Sequence, residues 1–272
     1  MREAEDFRTE VATLHALLAD EPAETFALVT QFKGWTVDDV LAHLHLFDVA
    51  ARLSLTDEAA FHALFEPIAA DLLAGRSLRD AHLRFMGDER DGASGPALLA
   101  LWRDEAERLA DLYAATDPKR RVPWAGPSMS ARSAVTARQM EVWAHGHEVF
   151  DRLGAVREEG ERIANICHLG VVTYGWTFAN RDLAPPGPRP PVRLAAPSGR
   201  RLDWEGEPDA AGRIEGPAVA FAQVVTQTRS PADVDLIVEG EAARAWMRHA
   251  QCFAGPPVDP PAPGARGVTP EA

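Results

Sequence analysis

Apolar residues recur at helical spacing from the start of the chain. In "EAEDFRTEVATLHALLAD", Phe7, Val11, Leu14, Leu17 and Leu18 fall on one side of a helix. A second helix is predicted to open at "GWTVDD", where Thr36 and Asp39 form a capping-box-like pair, and to run through "VLAHLHLFDVAARLSL". Further helical stretches follow in "DEAAFHALFEPIAADLLAG" and "PALLALWRDEAERLADLYAATD". A breaker-rich loop, "DPKRRVPWAGPSMS", leads into a long helix from about Ser130 to Leu153, stopped by Gly154. Another helix, roughly 157–180, carries "ERIANICHLGVVTYGWTFANR".

The texture changes at "LAPPGPRPP", residues 183–191, which no helix can cross. Beyond it "VRLAAPSGRRLDW" reads as a hairpin around Pro-Ser-Gly, and "GPAVAFAQVVTQ" as a helix opened by Pro217. "DVDLIVEG" reads as a strand and "EAARAWMRHAQCFAG" as a closing helix. The expected fold class is therefore α+β. A helical bundle occupies residues 1–182, a small C-terminal α+β module residues 192–255, and a Pro/Gly-rich tail, expected to be disordered, residues 256–272.

Charge and composition narrow the partners. The chain has 41 acidic against 28 basic residues, a net charge of −13, which argues against a surface that tracks phosphates and hence against nucleic acid. The charged start "MREAEDFRTE" and the lack of a long apolar run argue for a cytoplasmic protein without a membrane span. Two cysteines, Cys167 and Cys252, with no CxxC pair, make a disulfide framework or a thiolate zinc cluster a poor reading. Neither a Gly-rich phosphate loop in a βα unit nor a G-x-S-x-G elbow is present.

The chemistry concentrates in "MEVWAHGHEVF". Glu141 and His145, four apart, stand about 40° from one another on one helical face and can reach a single ion. The plain alternative is a solvated face on which Arg138, Glu141, Glu148 and Arg152 form weak ion pairs. Two features favour the ion. Val135, Val142, Val149 and Leu153 form an apolar line while Met140, Trp143 and Phe150 occupy other sides, so the helix is expected to be buried and its polar strip to face a cavity. The Thr36 helix supplies His43 at the edge of its apolar face, beside Val40 and Phe47, whereas His45 projects about 160° away from it and is expected on the surface. His147 is turned about 120° from Glu141. Two imidazoles and one carboxylate leave positions open, as a catalytic metal site requires, and suit a borderline divalent ion such as zinc.

"GWTVDDVLAHL", followed about a hundred residues later by "ARQMEVWAHGHEVFDRLG", resembles the metal-binding bundle of the DinB-like superfamily. Within it the chain is similar to the mycothiol-dependent maleylpyruvate isomerase branch, and more narrowly to an uncharacterised set of bacterial metal-binding proteins, over nearly all its length except the tail. The resemblance implies an up-and-down DinB-like bundle whose three metal ligands fall on His43, Glu141 and His145. It also implies mycothiol as a thiol cosubstrate. The chain departs from the pattern at His147 and Glu148, where relatives more commonly carry Gln and Asp, and at His45, which replaces a small apolar residue.

Other residues carry paired readings. Trp124 either roofs a pocket or plugs the core. Arg138 either holds a substrate carboxylate as a catalytic residue or bridges to a neighbouring carboxylate. His147 is either a substrate contact or a surface residue, and Arg229 is a candidate substrate contact from the C-terminal module. Cys167 and His168 are assigned to core packing, and His15, His62, His82 and His249 to the surface. The expected function is a divalent-metal-dependent isomerase or thiol S-transferase acting on a small electrophile. The alternatives are a metal-dependent tailoring enzyme of secondary metabolism and a non-catalytic small-molecule-binding protein. The C-terminal module either completes the active site or mediates homodimerisation.

Overall fold

A computed structural model describes residues 1–90, 92–124 and 126–268. The chain divides into two compact units, Met1–Arg152 and Leu153–Ala272. Among the described residues no helix is long and apolar enough to cross a membrane.

The first unit holds α1 (Arg2–Leu18), α2 (Val37–Thr56), α3 (Glu58–Leu73), α4 (Leu78–Arg90), α5 (Gly95–Ala115) and α6 (Ala131–Arg152). Helices α1, α2, α5 and α6 pack as a bundle, with α3 and α4 laid against α2. Phe7, Leu14 and Leu18 of α1, Val40 and Leu44 of α2, Trp102 and Leu109 of α5, and Val135, Val142, Trp143 and Val149 of α6 are fully buried. This is the periodic stripe seen in the sequence, now packed side by side. The loop before α6 folds into a short antiparallel hairpin, β1 (Arg121–Trp124) with β2 (Gly126–Ser130), which the breaker residues had disguised.

Two local devices aim α2. Thr36 caps it as expected: Thr36 Oγ1 accepts from Asp39 N (3.1 Å) while Thr36 N donates to Asp39 Oδ2 (2.9 Å). Just before it, a tight turn places Lys33 and Gly34 at φ 52° and 69°. Thr30 N donates to Trp35 O (2.7 Å) and closes that turn. Arg79 of α4 reaches back to the capping Asp39 (2.9 Å), fastening α4 to the start of α2.

Helix α4 is absent from the sequence expectation because "LRDAHLRFMGDER" is densely charged. Its presence corrects the reading of His45. With α4 against α2, the face opposite His43 is covered as well, and His45 is fully buried beside Phe85 (6.0 Å between rings).

A buried ion pair crosses the bundle. Arg138 Nε donates to Asp48 Oδ1 (2.8 Å), Arg138 Nη2 to Leu44 O (3.2 Å), and Trp102 Nε1 to Asp48 Oδ2 (3.1 Å). Helices α2, α5 and α6 meet at this one carboxylate.

The second unit contains α7 (Ile163–Val172), α8 (Tyr174–Ala179), β3 (Val192–Ala195), β4 (Arg201–Trp204), β5 (Arg213–Pro217), α9 (Ala218–Val225), β6 (Ile237–Glu239) and α10 (Glu241–His249). The sheet order is β4-β3-β5-β6: the β3–β4 hairpin is antiparallel as expected, β3–β5 parallel and β5–β6 antiparallel. Strand β5 was not anticipated, and Pro217 caps α9 rather than lying inside it.

The expected boundary at residues 183–191 is displaced. Helix α7 lies on α9 so closely that a Cβ on Gly170 would meet Val225 Cγ2 at 2.8 Å, so residues 163–179 belong with the sheet. The proline stretch is fastened within the same unit: Tyr174 Oη donates to Gly187 O (2.7 Å), and Ile214 N to Pro191 O (3.0 Å). The described part of the tail is also held. Gln227 Nε2 donates to Val258 O (2.7 Å), Gly264 N to Asp233 Oδ2 (2.8 Å), and Arg266 Nη1 to Gln227 O (2.7 Å). Disorder is therefore the wrong description for residues 256–268, and 269–272 lie outside the described residues. Cys167 is in the core as expected, while His168 is exposed and accepts from Trp204 Nε1 (3.2 Å).

Removing one partner of a buried pair leaves an uncompensated charge. Arg138→Met alone is expected to cost about 3–5 kcal/mol in urea unfolding. Arg138→Met combined with Asp48→Leu is expected to recover most of that loss.

Candidate metal centre

Helix α6 puts Glu141 and His145 on one face, and α2 brings His43 across to them. His43 Nε2 lies 3.3 Å and His145 Nε2 3.4 Å from Glu141 Oε2. One donor atom from each of the three lies within 4.8 Å of the others. Both separations are also close to the edge of a tetrahedron with about 2.05 Å metal–ligand bonds, which is about 3.3 Å. The donor set therefore fits a zinc-like divalent cation in chemistry and in the two separations to Glu141, and three donors leave a tetrahedral position for a ligand from solution.

The centre is shielded but reachable. The His43 and His145 side chains are 8% and 11% exposed, whereas Glu141 is 24% exposed and marks the open side. Trp35, thrown forward by the 30–36 turn, stacks on His145 (5.9 Å, 6° between planes) and lies 5.5 Å from the His43 ring. Phe32 meets His145 edge-on at 5.0 Å. Across the site Phe47 touches His43 (4.7 Å) and begins an aromatic cluster with Phe61, Phe65 and Trp124.

Electrostatics follow from this burial. Loss of solvent, reinforced by the nearby His145, pushes the His43 imidazole down to about 4, with Glu141 opposing the shift. His43 is thus neutral, and a ready ligand, at physiological pH. Burial alone would raise the Glu141 carboxyl, but hydrogen bonds from His145 and His43 outweigh it and hold Glu141 well below the usual carboxylate range. Glu141 is the one anionic donor of the three, so a dication held there would keep a net positive charge that attracts a further anion.

The remaining expected residues divide. Trp124 stands 6.4 Å from Phe47, in the aromatic cluster adjoining the trio. Arg138 does not fit a substrate clamp: it is 1% exposed, and its guanidinium is engaged by Asp48 and the Leu44 carbonyl. His147 is buried, not at the surface, with its ring against Trp143 (4.2 Å) on its own helix, away from the trio. Arg229 belongs to the second unit, where it is half-buried and donates to Thr228 O (2.8 Å).

The residue missed was His82. It is 1% exposed, on α4, with Nε2 3.2 Å from His43 Nδ1. Its signal was the spacing of Ala81, Phe85 and Met86, which places position 82 on the buried side of an otherwise charged helix.

Residues 7–150 match the family model described as the mycothiol maleylpyruvate isomerase N-terminal domain, nearly the extent of the first unit. Two curated relatives from strains of Mycobacterium tuberculosis, "Uncharacterized protein MT0041" and "Uncharacterized protein Rv0036c", are each 40% identical over 252 residues, 93% of this chain and 95% of the relative. The crystal structure of the mycothiol-dependent maleylpyruvate isomerase is similar with a TM-score of 0.52 at 17% identity, covering 82% of this chain and 87% of that one. A point mutant of that isomerase aligns equally well at 16% identity. At such identities the likeness is one of fold.

His43 and His82 titrate below their ordinary 6.5 because both are buried neutral. Below about 6.5 the unfolded chain takes up protons that the fold refuses, so stability is full above that pH and is lost as pH falls towards 4. The metal-free protein is expected to lose about 2 kcal/mol through His43 alone between pH 7.5 and 5, read from urea midpoints. Replacement of His43 by Gln should flatten that dependence.

Proposed function

Because the chain belongs to the mycothiol maleylpyruvate isomerase N-terminal domain family, we propose that it is a divalent-metal-dependent enzyme that uses a low-molecular-weight thiol on a small electrophile. The observation that carries this reading is the convergence of His43, Glu141 and His145 on one shielded, one-sided space. Zinc is the best match to the donors, mycothiol the thiol suggested by the family, and the cytoplasm the compartment.

His43 presents a neutral Nε2, His145 a second imidazole and Glu141 an ionised carboxylate, so the three would hold the cation. When bound, such a cation supplies a low-pKa environment in which a coordinating thiol stands as thiolate at neutral pH. Trp35 and Phe32 cover the His145 side and keep bulk water from it. The Phe47–Trp124 cluster offers an apolar wall to the carbon skeleton of the electrophile. In isomerisation a carbon–sulfur bond forms at the alkene, the former double bond rotates, and the same bond breaks, returning the thiolate unchanged. In transfer that bond persists and the adjacent carbon takes up a proton.

The test combines elemental analysis with an assay of maleylpyruvate and mycothiol on the zinc-reconstituted chain. The expected result is about one ion per chain and thiol-dependent turnover, with His43→Ala losing at least 100-fold in rate and most of its metal while keeping its helical signal. Full metal occupancy without turnover would remove the isomerase and leave a metalloprotein. Undiminished metal in His43→Ala would refute the ligand assignment.

A further inference from the structure

We infer that His82 is the positioning residue of the centre: its Nε2 holds His43 Nδ1, so that His43 presents Nε2 to the cation. The inference rests on the metal reading above and assigns a role that the three ligands do not supply. A metal-bound imidazole almost always gives its second ring nitrogen to an acceptor that fixes its tautomer and orientation. The only hydrogen-bond partner of His43 Nδ1 among the described residues is His82 Nε2, at 3.2 Å. His43 Nε2 faces Glu141, so the two nitrogens of one ring are divided between support and site.

His82 is itself held. Its ring meets Trp35 edge-on at 5.1 Å and 86°, and Phe47 at 6.4 Å and 87°, the same two aromatics that flank His43. Helix α4 is in turn fastened to the cap of α2 by Arg79 and Asp39, three and four residues from the two imidazoles in α-helices of fixed rise. Packing alone gives a poor account of a histidine at this point. Its Nδ1 is buried with no hydrogen-bond partner, an unmet group that an apolar side chain of similar size would avoid. A carboxylate in the same place would also support His43, but would add a second negative charge. The neutral imidazole leaves the cation more positive towards an incoming thiolate.

The experiment measures cobalt(II) and zinc affinity by competition with a chromogenic chelator, alongside circular dichroism and urea midpoints, in the full chain. His82→Leu is expected to fold and to bind either ion about 10–100-fold more weakly, with a changed cobalt absorption spectrum. His82→Gln, whose Oε1 can accept from His43 Nδ1, should return to within about threefold of the native affinity, a rescue that a packing role would not produce. Native affinity in His82→Leu would overturn the inference while leaving the metal centre intact. Equal weakening in folded His82→Leu and His82→Gln would also overturn it. Should the leucine variant fail to fold, a folded glutamine variant with more than tenfold loss would do the same. Absence of any bound ion in the native chain would instead remove the metal reading itself.

Discussion

The ion pair between Asp48 and Arg138 sets the register of the two helices that carry the centre. Asp48 follows His43 by five residues on α2, and Arg138 precedes position 143, midway between Glu141 and His145, by five residues on α6. Five residues of helix span about 7.5 Å, so helices running in opposite directions and pinned at Asp48–Arg138 must bring His43 level with its two partners. A slip of one turn would cost the buried pair and separate the donors by about 5.4 Å, too far for one ion. Burial raises the Asp48 carboxyl to about 6 against the opposing pull of Arg138, so near neutral pH the carboxylate is ionised and the pair complete.

Around that register the fold assembles a gradient of environments. Trp102 and Leu44 seal the ion pair, His43, Glu141 and His145 lie one step outward, and Glu141 reaches the accessible side. Aromatic rings from the 30–36 turn and α2 flank the imidazoles, and Trp124 of the β1 hairpin packs on Phe47 behind them. Low exposure keeps His43 neutral, and hydrogen bonds from His145 and His43 keep Glu141 charged against that same burial, the protonation states a divalent cation needs. The same burial that destabilises the apo fold in acid thus prepares the ligands for an ion.

Much of this was legible in the sequence because its causes are local. The Thr36–Asp39 cap, the i,i+4 pair Glu141/His145 and the all-round apolarity of α6 are periodic signals, and they led to His43 by simple helical geometry. What was hidden depended on packing between segments. Helix α4 is too charged to announce itself, so His82 was placed on the surface and His45 was left facing water. Arg138 was ambiguous because its partner, Asp48, lies 90 residues away. The unit boundary was missed because a proline run reads as a linker, whereas Tyr174 and the β5 edge bind it into the second unit.

The most direct measurement is an anomalous difference map from crystals of the zinc-loaded protein, collected on either side of the zinc absorption edge. The expected result is one strong peak within about 2.0–2.2 Å of His43 Nε2, His145 Nε2 and a Glu141 carboxylate oxygen. A peak elsewhere, or none at those three side chains in a stoichiometrically loaded crystal, would contradict the account.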